Sequence, residues 1–292
     1  VEFFKLEDLA DIYTPETNSS GEDNGQITII GGSSLFHGAP LLSLKAACRV
    51  TDMVFFSSPE KYLANVSEYI KSQISSFIWV DFEEIDSYIS KSDAVLIGPG
   101  FMRYHTEEGE MGMVEDEVFK KTRETTTTLL KNYPNKKWVI DAGSLQTLDA
   151  KAIPSGAILT PNKKEFEMLS GVSPDADLKT RGEQVSSFAS KTNSVVVLKD
   201  SVTIVSDGAR TVAVDGGNPG LTKGGTGDTQ AGLTVALAAK NSAFLSAAAA
   251  SYIIKKSAEE LAEEVGVYFS SDDLADQVHK TLFERVSAAK GL

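Results

Sequence analysis

The chain has 292 residues, enough for one large α/β domain or two smaller ones. Apolar residues make up 41% and charged residues 24%, which fits a folded globular chain and argues against disorder. Its 28 basic and 41 acidic residues give a net charge of -13, and such a surface repels phosphate backbones, so a nucleic-acid partner is not expected.

The opening stretch, VEFFKLEDLADIY, is acidic and lacks a basic-then-apolar leader pattern. With the polar TPETNSSGEDNG (14–25) it reads as a flexible lead-in over residues 1–25. QITIIGG (26–32) predicts a strand and a turn. APLLSLKAACRVT (39–51) carries Leu42, Ala46 and Val50 at helical spacing. Cys48, in that segment, is the single cysteine, so an intrachain disulfide and a cysteine-based zinc cluster are excluded. DMVFFSS (52–58), SFIWVDF (76–82) and SDAVLIGPG (92–100) predict strands, and a helix follows over about 115–131. KWVIDAGS (137–144), GAILTPN (156–162) and SVVVLKD (194–200) are strands that run into polar tips. TIVSDGARTVAVDGG (203–217) predicts a hairpin turning at Asp207-Gly208. Helices over about 228–240, 243–265 and 272–288 close the chain, the last with a capping signal in Ser270 and Asp273. The apolar stretch within 243–254 is broken by Ser246 and Ser251 and is too short to span a bilayer, so a cytoplasmic protein with no membrane partner is expected.

The inner strand runs are continuous rather than alternating, which marks strands buried on both faces by helices. No linker, repeat or low-complexity block divides the chain. The expectation is one three-layer α/β/α domain over residues 1–292, with a central, mostly parallel sheet and an antiparallel hairpin near its end.

Ligands of open parallel sheets sit beyond the carboxyl ends of the strands. Here those ends read GGSSLFHGA, GPGF, DAGS, TPN and LKDS. Any turn uses such residues, so one tip says little, but their repetition along one edge points to a common cleft. The sharpest stretch is LTKGGTGDTQAGL (221–233). Gly224, Gly225 and Gly227 are free to take positive φ, so successive N–H groups can converge on an anion at a helix N-terminus. Asp228 falls in the first turn of that helix. It is either an ordinary helix-start acid or a base for the group that attacks phosphorus, and spacing does not separate the two. The helix end is expected to keep it ionised. The chain has no G-x-x-x-x-G-K-[ST] and no G-x-G-x-x-G after its first strand, which excludes a P-loop and a dinucleotide fingerprint. His37, His105 and His279 are scattered without metal spacing and read as surface or packing residues. Trp79 and Trp138 read as core.

KGGTGDTQAGL resembles the signature of the ribokinase-like superfamily, a glycine-rich anion hole followed by a catalytic aspartate. IIGGSSLFHGAPLLSLKAACR (29–49), VLIGPG (95–100), VIDAGSL (139–145), ILTPNKKEFEMLSG (158–171), VVLKDSVTIVSDG (196–208) and GNPGLTKGGTGDTQAGL (217–233) stand in the order of the ATP- or ADP-dependent NAD(P)H-hydrate dehydratases. The resemblance implies a ribokinase-like fold and a repair reaction. Hydrated NADH or NADPH would be phosphorylated on its C6 hydroxyl by ATP or ADP, and loss of phosphate would restore the ring. Asp228 would be the catalytic base. Lys199, Asp200, Ser201, Val202, Thr203, Asn218, Gly224, Gly225, Thr226 and Gly227 would bind the nucleotide. Ala39, Gly100, Asn162 and Asp228 would face the hydrated dinucleotide, and Mg²⁺ would be held mainly by phosphates and water. Asp141 would position substrate or a water on Mg²⁺, or else cap the next turn.

Four departures stand out. Asn162 replaces the family's usual His, and Asn162-x-x-Glu165 resembles the metal-linked pattern of sugar and vitamin kinases, which makes Glu165 a metal candidate. Lys199-Asp200 replaces Lys-Gly, GPGFMRYHTEEGEMGM (98–113) is a long acidic insertion, and the segment before the first strand is not basic. The alternatives are a kinase of a small alcohol using the same aspartate, and an inactive binder that the intact glycine-aspartate set argues against. Exposed faces of the terminal helices are compatible with a homo-oligomer.

Overall fold

β-Branched and aromatic runs build a ten-stranded sheet. The computed structural model describes residues 1–70, 74–103 and 116–292. His105, most of the acidic insertion and the expected helix start at 115 lie outside the described residues. In chain order the elements are β1 (Glu2–Phe3), a 3-10 helix (Leu6–Asp11), β2 (Gln26–Ile30), α1 (Gly38–Ala47), β3 (Met53–Ser57), α2 (Tyr62–Ile70), β4 (Ile78–Trp79), α3 (Ile85–Lys91) and β5 (Ala94–Ile97). They continue with α4 (Glu117–Asn132), β6 (Lys137–Ile140), α5 (Ala142–Thr147), β7 (Ile158–Leu159), α6 (Lys163–Ser170), α7 (Leu178–Thr192), β8 (Val195–Leu198), β9 (Thr203–Ser206) and β10 (Thr211–Val214). A 3-10 helix (Pro219–Thr222), α8 (Thr226–Lys240), α9 (Ala243–Val265) and α10 (Ser271–Lys290) complete the chain.

The strand order is β1-β10-β9-β8-β7-β6-β5-β2-β3-β4. All pairings are parallel except those of β9 with β8 and β10. The expected hairpin is β9–β10, and it turns where Asp207 Oδ1 accepts from the N–H groups of Ala209 and Arg210. Helices cover both faces, as the continuous apolar runs require. Val195 and Val197 point to the layer of α1, α8, α9 and α10, while Val196 and Leu198 point to the layer of α3 to α7. Each such side chain taken from water contributes roughly 1.5–3 kcal/mol.

The flexible lead-in is corrected in part. β1 pairs with β10, and Phe4, Leu9 and Ile12 are buried, with the first 3-10 helix packed on α10. That segment is anchored because its short apolar set fills the gap beside the last helix. Sequence periodicity also missed α2, α3 and α7.

One helix contact fixes the geometry that matters most. α8 crosses α1 so closely that a Cβ on Gly232 would lie 2.2 Å from the Ser43 carbonyl oxygen. The Ser43 hydroxyl donates to the Asp228 carbonyl at 2.7 Å. The start of α8 is thereby clamped against the sheet edge.

Candidate active site

Residues from several strand ends meet at the carboxyl edge. Asp141, at the end of β6, is 2% exposed. It occupies the N-cap position of α5, but its side chain makes no capping bond. Its Oδ1 accepts instead from Thr160 Oγ1 at 2.8 Å and from Lys199 Nζ at 2.9 Å. Lys199 follows β8, and its N–H donates to the Pro161 carbonyl, which joins the TPN and LKDS tips. Burial opposes the charge of Lys199, but Asp141 and Glu165 hold its ammonium above the usual lysine range.

The glycine turn sits over this lysine. Gly225 has φ of 95° and serves as the N-cap of α8. A Cβ there would strike Leu42 and Ser271, so both conformation and space require glycine. Gly224 and Gly227 do not have positive φ, contrary to expectation. What Gly227 contributes is room: a Cβ on it would stand 3.2 Å from Lys199 Nζ. The Thr226 hydroxyl donates to the carbonyls of Leu221 and Lys223, closing the turn.

Asp228 lies in the first turn of α8. Burial and repulsion from Asp141 raise its carboxyl to about 7, against the pull of Lys199. The expectation that the helix end keeps it firmly ionised is therefore corrected: desolvation outweighs the dipole. A carboxyl that titrates near neutrality in the first turn of a helix, in the field of an ammonium, suits a general base.

A cleft of about 770 Å³ opens beside the turn. Lys199, Asp200, Ser201, Thr203, Asn218, Thr226 and Gly227 all line it. Val202 does not; it packs against the apolar cluster on the far face of the sheet. Gly224 is exposed above the turn. The Asn218 side chain is spent on structure, donating to the Ala258 carbonyl and accepting from Gly220 N–H. Asp200 is met by Lys163 at 2.8 Å and Arg181 at 3.5 Å. Burial opposes its charge, but these cations keep its carboxyl below the usual range.

Sequence reading missed Lys255, which is 5% exposed and donates to the carbonyls of Ser201, Gly216 and Asp200. Burial pushes its pKa down. The signal was present: Lys255 follows Ser251 and precedes Ala258 on the buried face of α9, where a charge needs a reason.

Several assignments meet a different environment. Gly100 is buried with φ of 75°, and the space for its Cβ is taken by the Phe36 carbonyl and Gly32, so the fold itself requires the glycine. Asn162 and Glu165 form a capping box: Asn162 Oδ1 accepts from Glu165 N–H and Glu165 Oε2 from Asn162 N–H. Glu165 Oε1 accepts from Gln146, so both its oxygens are engaged inside the protein. Ala39 is half-buried in the first turn of α1. His37 is exposed, and His279 is half-buried on α10. Trp138 is fully buried, whereas Trp79 on edge strand β4 is half-buried and donates to Asp81.

Among the described residues no group of three or more His, Cys, Asp or Glu side chains is arranged to hold a metal ion. Asp141 and Glu165 already serve Lys199, Thr160, Gln146 and a backbone amide. Also among the described residues, no helix is long and apolar enough to cross a membrane.

A family model described as NAD(P)H-hydrate dehydratase matches residues 27–280. The chain is 30% identical over 282 residues to a bifunctional NAD(P)H-hydrate repair enzyme of Methanocaldococcus jannaschii, covering 94% of this chain and 51% of that protein. It is 28% identical over 257 residues to an ADP-dependent (S)-NAD(P)H-hydrate dehydratase of Cenarchaeum symbiosum, covering 87% of each. The chain spans about half the length of the bifunctional relatives it matches. An ADP/ATP-dependent NAD(P)H-hydrate dehydratase from Bacillus subtilis, co-crystallised with ATP/Mg²⁺, shares the fold at a TM-score of 0.79 and 21% identity, covering 98% of this chain and 99% of that one.

Proposed function

The chain belongs to the NAD(P)H-hydrate dehydratase family, with a three-layer α/β/α ribokinase-like fold, and from that premise we propose that it repairs hydrated NADH or NADPH at the expense of ATP or ADP. The observation that carries this reading is the placement of Asp228, with a pKa near 7, between the glycine turn and the Lys199–Asp141 pair.

In the proposed reaction the cleft beside Lys199 takes the adenine nucleotide, with its terminal phosphate over the amides at Gly225 to Gly227. Asp228 takes the proton of the C6 hydroxyl. The hydroxyl oxygen bonds to phosphorus as the bond to the departing ADP or AMP breaks. Lys199 and the amides meet the charge on the phosphoryl oxygens. The ring nitrogen then expels phosphate from C6, and loss of the C5 proton restores the double bond. A Mg²⁺ bound by the phosphates would neutralise part of their charge. The partners in this reading are the hydrated dinucleotide and an adenine nucleotide. Asn162-x-x-Glu165, the motif that favoured a small-alcohol kinase, acts here as a capping box and lends that alternative no support.

The test is to incubate the protein with hydrated NADH, Mg²⁺ and either ATP or ADP, and to follow recovery of the reduced-nicotinamide absorbance. Recovery with one nucleotide is the expected outcome. No recovery with either, alongside phosphorylation of a small alcohol, would overturn the reading.

A further inference from the structure

An aspartate at a helix N-cap ordinarily accepts from the first turn. Asp141 forgoes that bond and turns its carboxylate to Thr160 and Lys199. The next residue, Ala142, holds φ of 46°, a left-handed conformation that a residue with a Cβ adopts at a cost. Gly98 completes the arrangement, since a Cβ on it would lie 2.0 Å from the Asp141 carbonyl oxygen. Strain of this kind persists where the surroundings over-determine it, and it gathers at functional sites. Below the glycine turn, the ammonium bonded to Asp141 lies in the field of two further carboxylates from different elements, Glu165 on α6 and Asp228 on α8. A lysine side chain is long and flexible. Released from Asp141 it would be drawn toward Asp228, and pairing there would remove both the base and the phosphate's cation.

We propose that Asp141 is a positioning residue that holds Lys199 beneath Gly227, so that the ammonium meets the transferred phosphoryl oxygens and Asp228 is left free to take the proton. The inference rests on the reaction proposed above. The carboxylate acts through Lys199 and touches neither nucleotide nor dinucleotide.

The test compares wild type with Asp141→Asn, which keeps the shape of the side chain and an oxygen for Thr160. With Lys199 released and one negative neighbour gone, Asp228 becomes more acidic. The acid limb of kcat/KM moves down by about one pH unit or more. At its own plateau kcat falls by about 100-fold, while the nucleotide KM changes little. Loss of the Asp141 charge alone would move the acid limb but leave the plateau kcat unchanged, and a purely structural role would lower the melting temperature with both in place, so the fall in plateau kcat is what the positioning of Lys199 requires. Independently of turnover, the Asp228 carboxyl is titrated by ¹³C NMR in aspartate-labelled protein, with Asp228→Asn providing the assignment. Its midpoint is expected to drop in Asp141→Asn. If wild type fails to turn over hydrated NADH, the proposed reaction fails, and the NMR titration still decides whether Asp141 controls the ionisation of Asp228. Should Asp141→Asn not fold, Thr160→Val, which removes the other hold on Asp141, is expected to shift the midpoint in the same direction by less. An unshifted midpoint overturns the proposal.

Discussion

At the scale of single residues, the site is decided by burial competing with charge. Asp228 is pushed up from 3.8 to about 7, chiefly by desolvation and Asp141. A base with that pKa must be ionised to act, so kcat/KM is expected to fall tenfold per unit as the pH drops below about 7. A pH profile of the repair reaction checks this, and a flat profile down to pH 5 would contradict it. Asp228→Asn is expected to cut turnover by about 10²- to 10⁴-fold while ADP affinity, read by calorimetry, stays within a few-fold. The same variant has a stability signature. Because the folded-state pKa is raised above 3.8, the fold favours the protonated acid, and wild type loses stability as pH climbs from about 4 to about 7. Removing the carboxylate is therefore expected to raise the melting temperature at pH 8, by an amount worth at most a few kcal/mol, to raise it by less at pH 5, and to change it little only at about pH 3.5. A lower melting temperature at pH 8 would show that Asp228 stabilises the fold.

Elements carry the site by close approach. Gly232 lets α8 lie on α1 with no room for a Cβ, and Ser43 holds the Asp228 carbonyl at that crossing. Gly232→Ala is expected to destabilise by about 1–3 kcal/mol in a denaturant titration, and to lower kcat by shifting the first turn of α8. Unchanged kcat at lowered stability would separate the crossing from the chemistry. Lys255 joins α9 to the loops at Asp200–Ser201 and Gly216 through their carbonyls. Lys255→Met leaves those carbonyls unpaired and frees a wall of the cleft. The nucleotide KM is expected to rise about tenfold, equivalent to ~1.4 kcal/mol, with a smaller effect on kcat. An unchanged KM would mean that the loops hold their form without the lysine.

On the scale of the whole molecule, helices from distant parts of the chain seal both faces of one sheet. We propose that residues 1–292 unfold as one unit, since both apolar clusters run across the sheet from β3 to β10. One calorimetric transition, with calorimetric and van't Hoff enthalpies in agreement, is the expected result; two separated transitions would refute it. The N-terminal strand belongs to that unit. Phe4 is 3% exposed in the cluster that also holds Leu9 and Ile12, so Phe4→Ala is expected to cost about 3–5 kcal/mol by denaturant titration.

The sequence by itself determined the sheet's continuous apolar strands, its terminal hairpin, the last three helices and the glycine turn ahead of Asp228. Each is written in neighbouring residues: period, turn chemistry and capping. Short amphipathic elements such as α2 and α3, and the two-residue β1, escaped because local pattern is weak where tertiary contacts do the stabilising. Only the tertiary structure decided that Asp141 holds Lys199 across 58 positions of chain, that Asn162 and Glu165 cap a helix, that backbone crowds Gly100, and that Lys255 supports the cleft. It also decided the ionisation of Asp228, because a pKa is set by the solvent removed and the charges brought near, and neither is recorded in the order of residues along the chain.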